Sequence, residues 1–68
     1  MVKINLICRE EFLIVGTKNI LEVCKGDKIT LAVEKNHVVK VWINGEEYKL
    51  GRVYSMLEII MLYCEQVD

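Results

Sequence analysis

Three cysteines, one histidine and one serine are the side chains of this 68-residue chain best suited to nucleophilic or metal-ligand chemistry. Cys8, Cys24 and Cys64 stand singly, without a C-x-x-C or any other compact ligand spacing. Their neighbours are apolar, which suits buried thiols acting as small hydrophobes. A Cys3His zinc set would have to recruit His37, yet structural zinc takes its ligands in closely spaced pairs, so no metal is expected. His37 lies in the polar turn EKNHVV, and neither order nor neighbours select a cysteine to serve as its nucleophilic partner. Glu10-Glu11 and Glu46-Glu47 are adjacent, so on strands their carboxylates point to opposite faces rather than pairing as acid and base. Ser55 has a capping role, and the chain has no glycine-rich phosphate loop. The expectation is a protein that is not an enzyme and needs no cofactor.

Two groups of residues suggest binding instead. The first is the apolar surplus of SMLEIIMLYCEQ, residues 55–66, where Leu57, Met61, Leu62 and Tyr63 are offered as a contact surface. The second is Trp42 with Lys40, Lys49 and Glu47. An aromatic among lysines is a recognition anchor, and it could stack a base of single-stranded nucleic acid, with Arg52 nearby. The plainer reading is that Trp42 covers the back of a sheet.

The elements that must position these residues follow from periodicity. VKINLIC (2–8) alternates, with Val2, Ile4, Leu6 and Cys8 on one face. FLIVG (12–16) is a continuous apolar run, which predicts a strand covered on both faces. After the turn TKN comes a short strand over 20–24, and then the tight turn KGDK, in which Gly26 takes positive φ and Asp27 bonds the local backbone. ITLAVE (29–34) and VVKVWIN (38–44) are strands, and Asn44-Gly45 is a two-residue type I′ turn. That turn pairs Ile43 with Glu46, Trp42 with Glu47, Val41 with Tyr48, Lys40 with Lys49 and Val39 with Leu50. Val39, Val41, Tyr48 and Leu50 then share the core face. The facing lysines call for an acid, either Glu34 or Glu47 nearby or a partner's carboxylate or phosphate.

A two-residue loop at Lys35-Asn36 would set Leu31 opposite Lys40. A three-residue loop, Lys35-Asn36-His37, sets Val33 opposite Val39 and Leu31 opposite Val41, and is therefore expected, with positive φ at Asn36 or His37. A helix over about 55–66 follows, opened by a Ser55-x-x-Glu58 capping box. At ~100° per residue its main stripe is Met56, Ile59, Ile60, Tyr63, Cys64 and Val67, with Leu57 at the edge. Met61 and Leu62 flank the strip formed by Glu58 and Glu65.

The composition is 53% hydrophobic, above the usual ~45–50%, with no proline and four glycines. This describes one domain, residues 1–68, near the lower size limit for a self-sufficient core. No run approaches the ~20 apolar residues of a membrane span, and the start MVKINLICREE lacks a signal-peptide pattern, so a cytoplasmic location is expected. A net charge of −1 with dispersed lysines does not favour nucleic acid. VCKGDKITLAVE (23–34) resembles strands of small SH3-like or OB-like barrels, where a turn containing Gly-Asp feeds a strand. The expected fold is α+β: a small, strongly bent antiparallel sheet or barrel of 5–6 short strands with one C-terminal helix. The expected function is a protein-binding regulatory module, of the kind a phage-type or mobile-element inhibitor uses to act by occlusion, assembling as a homodimer through its helix. The alternative is a small barrel that binds single-stranded nucleic acid or a nucleotide at Trp42.

Overall fold

A computed structural model describes residues 2–53 and 57–67 of the chain, and at its centre is the hairpin of β4 (Lys28–Glu34) and β5 (His37–Ile43). Ile29, Leu31 and Val33 alternate into the core from β4, as their spacing requires. The turn between the strands differs from expectation. It is a two-residue turn, with Lys35 at φ 50° and Asn36 at φ 65°, and it pairs Glu34 with His37 and Val33 with Val38. Both positive φ values mark a type I′ turn, whose twist matches that of the strands it joins. The odd residue sits in the strand instead: the register shifts between Ala32 and Val33, so that Ala32 faces Lys40 and Leu31 faces Val41. Val39 is the extra residue of this β-bulge and is 43% exposed, not on the core face. Val38 takes the core position in its place.

The second hairpin follows its sequence signal. Asn44 (φ 51°) and Gly45 (φ 87°) form the turn, and Val41, Trp42 and Ile43 pair with Tyr48, Glu47 and Glu46 of β6 (Glu46–Tyr48). The ladder stops there, so the pairs Lys40–Lys49 and Val39–Leu50 do not form. β1 (Val2–Cys8) lies on the other side of β4, and β7 (Cys64–Val67) lies beyond β1. The order β6-β5-β4-β1-β7 is antiparallel throughout and ends in two edges, so this is an open sheet rather than a closed barrel.

β2 (Phe12–Val15) and β3 (Ile20–Val23) form a separate two-stranded ribbon. Ile14 and Val23 are fully buried, whereas Leu13 and Ile20 are exposed, so the apolar run 12–16 is covered on one face only. The core draws Leu6, Ile29, Leu31 and Val41 from the sheet, Ile14 and Val23 from the ribbon, and Ile60 from the helix. Among the described residues no polar or charged side chain is buried.

The turn of the ribbon is fastened to residues 49–53, the segment that follows β6. Thr17 N donates to Arg52 O (2.9 Å), Lys18 N donates to Leu50 O (3.0 Å), and Arg52 N donates to the Thr17 hydroxyl (3.0 Å). A Cβ on Gly16 would run into the Leu50 carbonyl, so this approach needs glycine.

The helix α1 (Leu57–Tyr63) is shorter than the 55–66 expected, and Cys64–Val67 leaves it as strand β7. Without β7, β1 would be an open edge on that side, and the ladder with Asn5, Leu6, Ile7 and Cys8 outweighs helical propensity. The proposed Ser55 cap and Met56 lie outside the described residues.

One substitution and two deletions test this architecture. Gly16→Ala should cost about 1–3 kcal/mol in urea denaturation, because Leu50 must give way. Deleting Val39 removes the bulge and leaves a regular two-residue hairpin in the same register. The variant should fold with a loss of about 1–3 kcal/mol. Deleting Ala32 from β4, which is paired on both sides, should abolish the dispersed amide spectrum of the folded state.

Candidate functional site

The helix has two distinct faces. Ile60 is fully buried, and Leu57 and Met61 pack beside it against the core at the i, i+3, i+4 spacing of one face. Tyr63 is also half-buried, with its ring stacked on Phe12 at 5.5 Å between centroids. Of the four residues offered from sequence as a contact surface, Leu57, Met61 and Tyr63 are therefore largely occupied by their own chain. Leu62 is not: it is 82% exposed. Its neighbour on that face is Ile59, 46% exposed and three residues earlier. Helical spacing alone puts Ile59 on the inward stripe with Cys64 and Val67; the stripe shifts because those two residues belong to β7.

Trp42 is on the face of the sheet away from the core. In one row Ala32 is flanked by Lys3 and Lys40, and in the next Thr30 is flanked by Asn5 and Trp42, with Glu47 beyond. Lys3 Nζ stands 5.1 Å from the Trp42 ring centroid, a cation–π contact. Trp42 is half-buried, which suits a residue covering the back of β4. The acid expected to relieve Lys40 is Glu47, at 3.9 Å and exposed to solvent. Lys49 lies elsewhere. Where β6 ends, residues 49–53 peel away from β5 and leave an open cleft of about 450 Å³. Its charged walls carry Lys18, Lys40 and Lys49 with the carboxylate of Glu47, and Val39, Val41 and Leu50 are among the apolar residues. Lys18 reaches the cleft because the backbone bonds at Leu50 and Arg52 hold its turn there.

Cys8 and Cys64 are buried and face each other across β1 and β7, while Cys24 is exposed, contrary to its apolar sequence neighbours. His37 is not near them. It pairs with Glu34 at one end of β4, whereas Cys8 bonds Asp27 and Gly26 just beyond the other end. At ~3.3 Å per residue that separation is about 20 Å, too far for shared metal ligation. Among the described residues no group of three His, Cys, Asp or Glu side chains could hold a metal ion.

One surface was missed from sequence. Leu13 (54% exposed) and Ile20 (64%) lie on the outer side of the ribbon. The run FLIVG has no alternation to mark an inner face, but Glu22 pairs with Leu13 and so shares its side, and it was the available signal that this side meets water.

Burial, and then the Cys8 thiol beside it, push the Cys64 thiol from 9.0 up to about 12. The folded protein thus keeps a proton that the unfolded chain releases. This contribution to stability is full below about pH 9 and is lost as pH rises toward about 12. Thermal melts across that range should show a falling midpoint whose slope is shallower in Cys64→Ala. The family models, curated proteins and solved structures compared with this chain give no match, so these surfaces stand on their own geometry.

Proposed function

We propose that this protein is a non-enzymatic binding module that pairs with a second copy through α1 and acts on a protein target by occlusion, as a small regulator or phage-type inhibitor would. The observation that carries the reading is Leu62, 82% exposed beside Ile59 on the outward face of a helix whose inward face is core. Adjoining exposed apolar side chains on a well-packed domain mark a contact surface. A helix face pairing with its own copy gives a two-fold dimer, in which each side chain is buried twice. Fully burying a leucine contributes about 1.5–3 kcal/mol, so the two copies of Leu62 supply a substantial part of a dimer's stability.

A second reading draws on the cleft. Lys18 and Lys49 have no carboxylate within ion-pair distance among the described residues, whereas Lys40 is paired with Glu47, which also lines the cleft; an anionic ligand such as a nucleotide would therefore rest on Lys18 and Lys49. Trp42 does not add to it as a stacking platform, since Lys3 stands over its ring. Binding at the lysines would weaken steeply with salt, whereas apolar pairing would not.

Sedimentation equilibrium of the wild type and of Ile59→Glu/Leu62→Glu tests the first reading. The expected result is a wild-type dimer and a folded double variant whose dimer is weakened about a hundredfold or more. The test leaves Met61 unchanged, because Met61 packs on the core and a charge there would destabilise the monomer as well. If the wild type is monomeric at all concentrations, self-association through α1 is wrong.

A further inference from the structure

Cys8 and Cys64 form a directly opposed pair in the β1–β7 ladder, and among the described residues neither is in a disulfide. The kind of pair they form is fixed by a neighbour. Arg9 N donates to Tyr63 O at 2.8 Å, so the Arg9–Tyr63 position is hydrogen-bonded. Positions alternate along an antiparallel ladder, which makes Cys8–Cys64 a non-hydrogen-bonded pair. In such a pair the Cα atoms stand about 4.5 Å apart and the side chains approach most closely. That separation lies at the short end of the ~4.4–6.8 Å range that disulfides bridge. Both thiols are buried at this shared position, and Cys8 Sγ donates to Glu10 O at 2.8 Å.

We infer that Cys8 and Cys64 are a reversible oxidation site, closed to a disulfide by a small-molecule disulfide such as oxidised glutathione, and that the bond fastens β7 to β1. The inference does not rest on the dimer reading. The exchange is a two-electron oxidation of the protein. A thiolate of the pair, Cys8 in the scheme drawn here, attacks the reagent disulfide, forms a mixed disulfide and releases one thiolate. Cys64 thiolate then attacks the Cys8 sulfur and expels the second. The pair loses two protons and two electrons, and the reagent leaves as two thiols. Burial holds both thiols above their ordinary range, so the attacking thiolate forms as β7 opens to solvent or as pH rises. Access comes through β7, an edge strand paired on one side only, whose local release uncovers both sulfurs. Because β7 is an edge strand, the bond comes within reach of a reducing thiol when that strand opens, which makes the site reversible.

The full-length chain carrying Cys24→Ser, which removes the exposed thiol and leaves the pair intact, is equilibrated in glutathione buffers from reducing to oxidising. Free thiols are then alkylated and the protein is digested with trypsin. Cleavage after Lys3, Arg9 and Arg52 puts Cys8 in peptide 4–9 and Cys64 in peptide 53–68. The expected result is a 4–9/53–68 linked species in protein that keeps its circular dichroism. The link should form faster at higher pH and disappear when excess thiol is added. Alkylated thiols throughout would overturn the inference. So would mixed disulfides with glutathione and no linked peptide, or a link that forms only when urea unfolds the chain.

Discussion

Two local geometries at opposite ends of β4 and β5 disagree by one residue, and the bulge at Val39 reconciles them. At one end the Lys35-Asn36 turn aligns Glu34 with His37. At the other, Asn44 N donates to Lys28 O at 2.7 Å and Lys28 N donates back to Asn44 Oδ1 at 3.0 Å, which aligns 28 with 44. A regular ladder cannot satisfy both, since the first needs partners that sum to 71 and the second partners that sum to 72. Two adjacent valines absorb the difference, with Val38 filling the core position and Val39 turned out. The apolar pattern then stays in phase, with Leu31 on Val41 and Ile29 on Ile43. Because Asn44 also bonds Asp27, the same alignment ties the two turns at that end of the sheet together. The bulged stretch also forms part of the wall of the lysine cleft, since Val39 and Lys40 lie where β6 has ended.

The ribbon's attachment adds the second constraint. A five-stranded sheet with one apolar face needs a cover, and a seven-residue helix alone is too small for that. β2 and β3 supply the rest through Ile14 and Val23. The Gly16–Leu50 approach sets how closely the ribbon lies, and it also routes residues 49–53 away from β5. The cleft is thus a by-product of packing: the segment that must meet the ribbon cannot also extend β6.

Local signals were read well where turn chemistry and alternation agree. Asn44-Gly45 predicted both its turn and the pairing of Trp42 with Glu47, and KGDK predicted positive φ at Gly26. Reading failed where one pattern allowed two structures. Cys64 and Val67 stand three apart, which fits one face of a helix, yet in β7 they point to opposite faces. Only the non-local demand of β1 for a partner chooses between these, and no window of sequence contains it. The loop at 35–37 failed for a related reason. Leu31 does face Val41, but a bulge meets that requirement as well as a longer loop does. Only the first difference reaches the contact surface, since a helix extended to residue 66 turns its stripe to put Ile59 inside and Met61 outside.

The joint between Tyr63 and Cys64 governs how that surface is held. A helix of seven residues has little stability of its own, since nucleation is costly and short helices depend on packing. Ile60 anchors α1 from the core, the Tyr63 ring lies against Phe12, and the Tyr63 carbonyl accepts the bond from Arg9 that begins the β7 ladder. One residue on, Cys64 meets Cys8. The outward Ile59 and Leu62 are therefore oriented by a strand pairing that starts directly after them, not by helical propensity. Weakening β7 would loosen the helix face even though no residue of that face is touched, and a covalent bond at Cys8–Cys64 would stiffen it. Stability of the edge strand and presentation of the apolar surface are in this way one physical quantity, set at the shared end of the two elements.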